Sequence, residues 1–145
     1  MENKINLSFL SKSANEGFAR AAVSAFVAQL DPTLEELADI KTAVSEAVTN
    51  AIVHGYGHGN GIVTISCALS LDKTVCLTIS DAGRGIENIE QALEPMYTSA
   101  ADDERSGMGF TVMETFMDSL VVQSEMDKGT TVIMTKQIGS DSTLS

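Results

Sequence analysis

Glu46, Asn50 and His54 stand four residues apart in a run that is otherwise apolar, with Ala47-Val48 and Ala51-Ile52-Val53 between them. On a helix these positions share one face. A carboxylate, a carboxamide and an imidazole stacked there cost stability unless each is paired or binds something. A carboxylate can accept a proton from an attacking hydroxyl, or orient it. A carboxamide oxygen suits Mg²⁺, a hard cation that keeps several waters and bridges phosphates. His54 could hydrogen-bond near such a site or pack at the helix end.

Three glycine-rich pieces accompany the ladder: Gly55 to Gly61 with four glycines in seven residues, Asp81-Ala82-Gly83-Arg84-Gly85, and Ser106-Gly107-Met108-Gly109-Phe110. Alone they read as a helix stop, a turn and a flexible helix start. Together with the ladder they fit nucleotide binding. Asp81, at a strand end, can accept a hydrogen bond from the exocyclic amino group of adenine, or can cap an Asx-turn. Gly83 and Gly85 let backbone approach a base and sugar where a Cβ would clash. Gly107 and Gly109 precede a helix, whose free N–H groups and positive dipole end favour phosphates. Arg105 could reach a terminal phosphate, or pair with Asp102 or Asp103 at little gain.

The elements that must position these residues follow from periodicity. Ile5, Leu7 and Phe9 alternate with Asn6 and Ser8, a strand with one buried face. Ser13-Ala14-Asn15-Glu16 predicts a capping box and a helix from about 15 to 30, broken by Asp31-Pro32. Thr33-Leu34-Glu35-Glu36 predicts a second capping box. It opens one long helix through Leu37, Ile40, Val44 and Val48 to the ladder, ending at the glycines. Residues 62–69 and 74–80 read as a hairpin joined at 70–73. The acidic segment 86–106, with Pro95, reads as a mobile loop holding a short helix. A helix then runs to about Leu120, and strands 121–126 and 130–138 pair around Asp127-Lys128-Gly129. Residues 1–138 form one domain, and 139–145 a frayed polar tail. The order implies a two-layer α/β sandwich, a mixed but mostly antiparallel sheet with helices on one face.

The chain has 145 residues and 43% hydrophobic residues, enough for one core. Its net charge of -11 argues against general nucleic-acid or anionic-membrane binding, and suits a basic protein partner or plain solubility. No apolar run reaches the roughly 18 residues of a spanning helix, and the start at Met1-Glu2-Asn3-Lys4 is no signal segment. A cytoplasmic location is expected. Cys67 and Cys76 lie in the hairpin, where a tight pairing could bring them face to face; reduced, half-buried thiols are the expectation. No Cys/His spacing resembles a zinc site.

The set Glu46-x-x-x-Asn50, Asp81-x-Gly83-x-Gly85, Gly107-x-Gly109 and Gly129-Thr130 resembles the GHKL ATPase/kinase superfamily, which includes gyrase and histidine-kinase catalytic domains. The resemblance implies a Bergerat fold binding ATP and Mg²⁺ under a mobile lid. Residues 44–54, 81–86 and 105–110 further resemble the anti-sigma F factors of spore-forming bacteria. That implies a serine kinase that holds sigma factor F inactive and phosphorylates an anti-anti-sigma factor, as a homodimer that turns ATP into ADP. On this likeness Glu46 is the catalytic base and Asn50 the Mg²⁺ ligand. Asp81 reads adenine, and Thr130 hydrogen-bonds near the base with it; Gly83, Gly85, Gly107 and Gly109 line the nucleotide; Arg105 touches the γ-phosphate. A stress-response anti-sigma kinase, or an ATP-gated sigma-binding module without turnover, shares much of the pattern. Arg20, the one basic residue of an Ala/Val/Phe-rich first helix, is the expected partner contact. An acidic kinase would also be steered towards a basic sigma factor.

Overall fold

The architecture is taken from a computed structural model that describes residues 2–94 and 106–139. The elements are β1 Asn3–Leu10, α1 Ala14–Val27, α2 Leu34–Thr49, β2 Ile62–Leu69, β3 Thr74–Asp81, α3 Ile89–Ala92, α4 Ser106–Phe116, β4 Ser119–Glu125 and β5 Gly129–Gln137. The strands form one sheet in the order β1-β2-β3-β5-β4. All four pairings are antiparallel, the antiparallel limit of the mixed sheet expected.

Side chains alternate across strands, and the register sorts them into rows. Ile5, Cys67, Leu77, Met134 and Leu120 share one row, and Leu7, Ile65, Ile79, Val132 and Val122 the next. Both lie on the face covered by α1, α2 and α4, which bury Val23 and Val27, Ile40, Val44 and Val48, and Met113 respectively, with Met117 buried just beyond α4. A two-layer α/β sandwich results. The following row on the same face changes character: Phe9 and Val63 give way to Asp81, Thr130 and Ser124. The core therefore ends in a polar wall supplied by β3, β5 and β4.

The second capping box is present. Thr33 Oγ1 accepts from the Glu36 N–H (3.0 Å), and Glu36 Oε1 from the Thr33 N–H (2.9 Å). The first is not. Ser13 has helical φ and ψ and makes no side-chain cap, while Glu16 pairs with Arg20 instead. The ladder helix is not one continuous α-helix either. After α2 the chain widens into a π-helical turn over Asn50–Gly55, in which the Tyr56 N–H reaches back to the Ala51 carbonyl at 3.0 Å. Such single-turn π segments concentrate at functional sites.

The helix expected to reach Leu120 stops at Phe116, and β4 begins at Ser119, two residues before the expected Val121. Leu120 is needed in the inner row opposite Met134, and Asp118 ties the link, its N–H donating to the Thr135 carbonyl. Ile138 is buried, and the Gly139 N–H donates to Glu36 Oε2 at 2.8 Å. Of the expected lid, α3 is the short helix, capped by the Asn88 side chain on the Gln91 N–H. Pro95 and Arg105 lie outside the described residues, as do residues 140–145.

The cysteines are free and do not face each other. Cys67 pairs with Leu77 while Cys76 pairs with Ala68, which sends the two thiols to opposite faces. Burial pushes the Cys67 thiol up to about 12, leaving it protonated and inert.

Candidate functional site

A cavity of about 880 Å³ opens between the end of α2, the polar wall and the segment that follows β3. Its size is that of a small-molecule site. Asn50, His54, Asp81, Gly85 and Thr130 stand in its wall. Ile79, Val132, Phe110 and Met126 supply apolar surface, suited to the flat face of a base.

Asn50 and Glu46 meet the start of α4 directly. A Cβ on Gly109 would stand 3.1 and 3.2 Å from the Asn50 amide atoms and 3.4 Å from Glu46 Oε1. Glycine inside a helix costs about 1 kcal/mol relative to alanine, and here it lets α4 cross close over the two polar side chains. Gly107 and Gly109 lie within the first turn of α4, rather than ahead of it as expected. Asn50 fits Mg²⁺: its carboxamide oxygen is a hard donor, and a carboxylate lies one turn away. Among the described residues no group of three or more His, Cys, Asp or Glu could hold an ion. A cation whose remaining ligands are phosphate and water suits that sparse donor set.

Asp81 ends β3, and its Oδ1 accepts the Gly83 N–H at 2.9 Å. It is thus an Asx-turn and a cavity wall at once. Burial pushes its carboxyl above the usual aspartate value, while the Gly83 and Thr130 N–H groups pull it partway back.

The loop after Asp81 is locked against the π turn. The Arg84 N–H donates to the Gly55 carbonyl at 2.9 Å. A Cβ on Gly83 would stand 2.0 Å from that same carbonyl oxygen, a contact with backbone that no rotamer relieves. Gly83→Ala is expected to destabilise the fold by about 1–3 kcal/mol or more through overpacking. Urea denaturation, with ATP titrated in parallel, checks this. Gly83 itself does not line the cavity, whereas Gly85 does; Gly85 has φ +78 and passes the Glu125 carbonyl at a distance no side chain allows.

Tyr56 was not singled out by the sequence, yet it clamps the same loop. Its Oη donates to the Ile62 carbonyl (2.7 Å) and accepts the Ala82 N–H (2.7 Å), joining the glycine run and β2 to the residue after Asp81. Tyr56→Phe deletes both bonds. At about 1 kcal/mol for a hydrogen bond, ATP affinity should fall several-fold, as read by calorimetric titration. Ser124 was missed as well. Only the register showed that it shares the inner face with Asp81 and Thr130.

Arg20 lies away from the cavity wall. Its guanidinium donates to Glu16 Oε2 (2.8 Å) and Ser45 Oγ (3.0 Å), with 43% of the side chain exposed. It therefore joins α1 to α2 while keeping surface for a contact. No helix among the described residues is long and apolar enough to cross a membrane.

Known proteins share this fold and sequence. Residues 9–136 match the histidine kinase-like ATPase domain family. The chain is 63% identical to an anti-sigma F factor of Clostridium perfringens, covering 97% of this chain and all of that one. It is 60% identical to an anti-sigma F factor of Clostridium acetobutylicum, covering 94% and 95% of the two chains. Among solved structures, one of the RsbU and RsbW domains of a Mycobacterium tuberculosis protein superposes with a TM-score of 0.68 at 21% identity, over 94% of this chain and 32% of that one. At that identity the likeness concerns the fold. With a five-stranded antiparallel sheet under helices and a cavity walled by Asn50, Asp81 and Thr130, the chain belongs to the histidine kinase-like ATPase family and, within it, to the anti-sigma F factors.

Proposed function

We propose that this protein is a nucleotide-dependent anti-sigma factor that binds sigma factor F and, with ATP and Mg²⁺, phosphorylates a serine of an anti-anti-sigma factor. The observation that carries the reading is the convergence of Asn50, Glu46 and Gly109 at the edge of a cavity whose far wall holds Asp81 and Thr130. A site that only held nucleotide would need a base reader and a phosphate cradle. A carboxylate one turn from the proposed metal ligand is the further element that proton removal from a serine hydroxyl requires.

In this reading Asp81 accepts the exocyclic amino group of adenine, with Thr130 beside it. Gly83 and Gly85 admit the base and sugar. The first turn of α4, with Gly107 and Gly109, offers backbone N–H groups to the phosphates, and Arg105 adds positive charge at the terminal phosphate. Asn50 would hold Mg²⁺, which neutralises phosphate charge when bound. Glu46 accepts the serine proton or orients the hydroxyl for attack. The enzyme acts in the cytoplasm as a homodimer, and Arg20 contributes to the partner surface. The net charge of -11 steers a basic sigma factor towards it.

Co-purification tests the binding half. Sigma factor F should be retained in the presence of nucleotide and released when the unphosphorylated anti-anti-sigma factor is added. Retention that ignores nucleotide and the second partner alike would leave a simple sequestering protein.

A further inference from the structure

Ser124, on β4, makes three polar contacts with one hydroxyl. The Ile86 N–H donates to its Oγ at 2.7 Å, its Oγ donates to the Gly129 carbonyl at 2.9 Å, and its Oγ lies 2.8 Å from Thr130 Oγ1. The geometry of the last pair allows either atom to donate. The proton inventory decides it. A carbonyl can only accept, so the single Ser124 proton goes to Gly129. The Ile86 amide already supplies a donor, so the third contact exists only if the Thr130 hydroxyl donates to Ser124. All three bonds are satisfied by this one arrangement. Thr130 has then spent its proton and can only accept.

The neighbour of Thr130 across the β3–β5 register is Asp81, whose carboxylate also only accepts. Both residues stand in the cavity wall, and Thr130 is 9% exposed. Two adjacent acceptors can receive the two N–H bonds of a 6-amino group and meet a 6-oxo group oxygen to oxygen, provided that N1, an acceptor in adenine and an N–H donor in a 6-oxo purine, lies clear of the pair. We propose that Ser124 is a positioning residue for base selection. By consuming the Thr130 proton it keeps the Asp81–Thr130 edge of the wall acceptor-only, so that a 6-amino group binds there and a 6-oxo group is rejected. Without the Ser124 hydroxyl, the Thr130 rotor is released and can turn its proton towards a 6-oxo group. This rests on the reading of Asp81 as the adenine contact.

The test compares the affinities of ATP and inosine triphosphate, which differ at the 6-position and in the proton that the 6-oxo base carries on N1, for wild type, Ser124→Ala, Ser124→Cys and Ser124→Thr of the full chain. Wild type should prefer ATP strongly. Ser124→Ala should lower the ATP-to-ITP affinity ratio by roughly five- to tenfold, the worth of one hydrogen bond, mainly through tighter ITP binding. Ser124→Cys, close in shape and a weak donor, should move the ratio the same way and serves if the alanine variant does not fold. Ser124→Thr, which keeps the hydroxyl, should restore it. A purely structural role would weaken both nucleotides together and leave the ratio unchanged, and that result overturns the inference. No ATP preference in wild type would instead overturn the reading of Asp81.

Discussion

Asp81→Asn is expected to weaken ATP binding by about ten- to a hundredfold, the range for a hydrogen bond to a charged group. The carboxylate is half-buried at the end of β3, and one of its oxygens is already held by the Gly83 N–H. Asparagine can keep that bond only by turning its NH2 towards the cavity, where it opposes the adenine amino group. The same variant has a predictable pH signature. Burial raises Asp81 above its ordinary value, so the folded protein favours the protonated form more than the unfolded chain does. Stabilisation from this group is complete below the ordinary aspartate value of about 3.9 and is lost as pH rises through the raised folded value. At neutral pH the ionised carboxylate is a cost to the fold, one that the proposed adenine contact would offset. Wild type should therefore gain stability relative to Asp81→Asn as pH falls through that window, while its ATP affinity falls. Denaturation and titration across that acidic range check both. An affinity unaffected by the substitution would remove Asp81 from the base site.

Glu46→Gln is expected to lower phosphoryl transfer by about 10²–10⁴-fold, the usual contribution of a positioned general base, with ATP affinity within a few-fold of wild type. The substitution keeps the side-chain shape beneath Gly109 and removes the proton acceptor. Glu46 is not in the described cavity wall; it lies against Gly109, on which the wall residue Asn50 also packs. That placement suits a group that meets the incoming serine rather than the nucleotide. Capture of sigma factor should persist in this variant, which separates turnover from binding. Loss of ATP affinity equal to the loss of transfer would make Glu46 a nucleotide ligand instead.

Much of the site was legible because its residues obey local rules. The Thr33–Glu36 box is a matter of four consecutive residues. The β2–β3 hairpin follows from alternation, and the polar ladder from the spacing of Glu46, Asn50 and His54. Asp81, Gly83 and Gly85 could be read because glycine marks places where a Cβ has no room. What was not legible depends on tertiary contacts. Ser13 carries the right residue type for a cap, but its helical backbone and the Arg20 guanidinium drew Glu16 elsewhere. The π turn arises where the helix must meet Tyr56 and the Asp81 loop, which no helical periodicity announces. Ser124 and Tyr56 became functional candidates only through strand register and a clamp between distant segments. His54 stands in the cavity wall, which places it without giving it a chemical task.

The most direct measurement is transfer of labelled γ-phosphate from ATP, with Mg²⁺, to the anti-anti-sigma factor by the purified full chain. The wild type should produce phosphoserine at a rate that Glu46→Gln cuts by at least a hundredfold. A wild type that binds ATP and captures sigma factor F yet yields no phosphoserine would contradict the kinase assignment and leave a nucleotide-gated binding module.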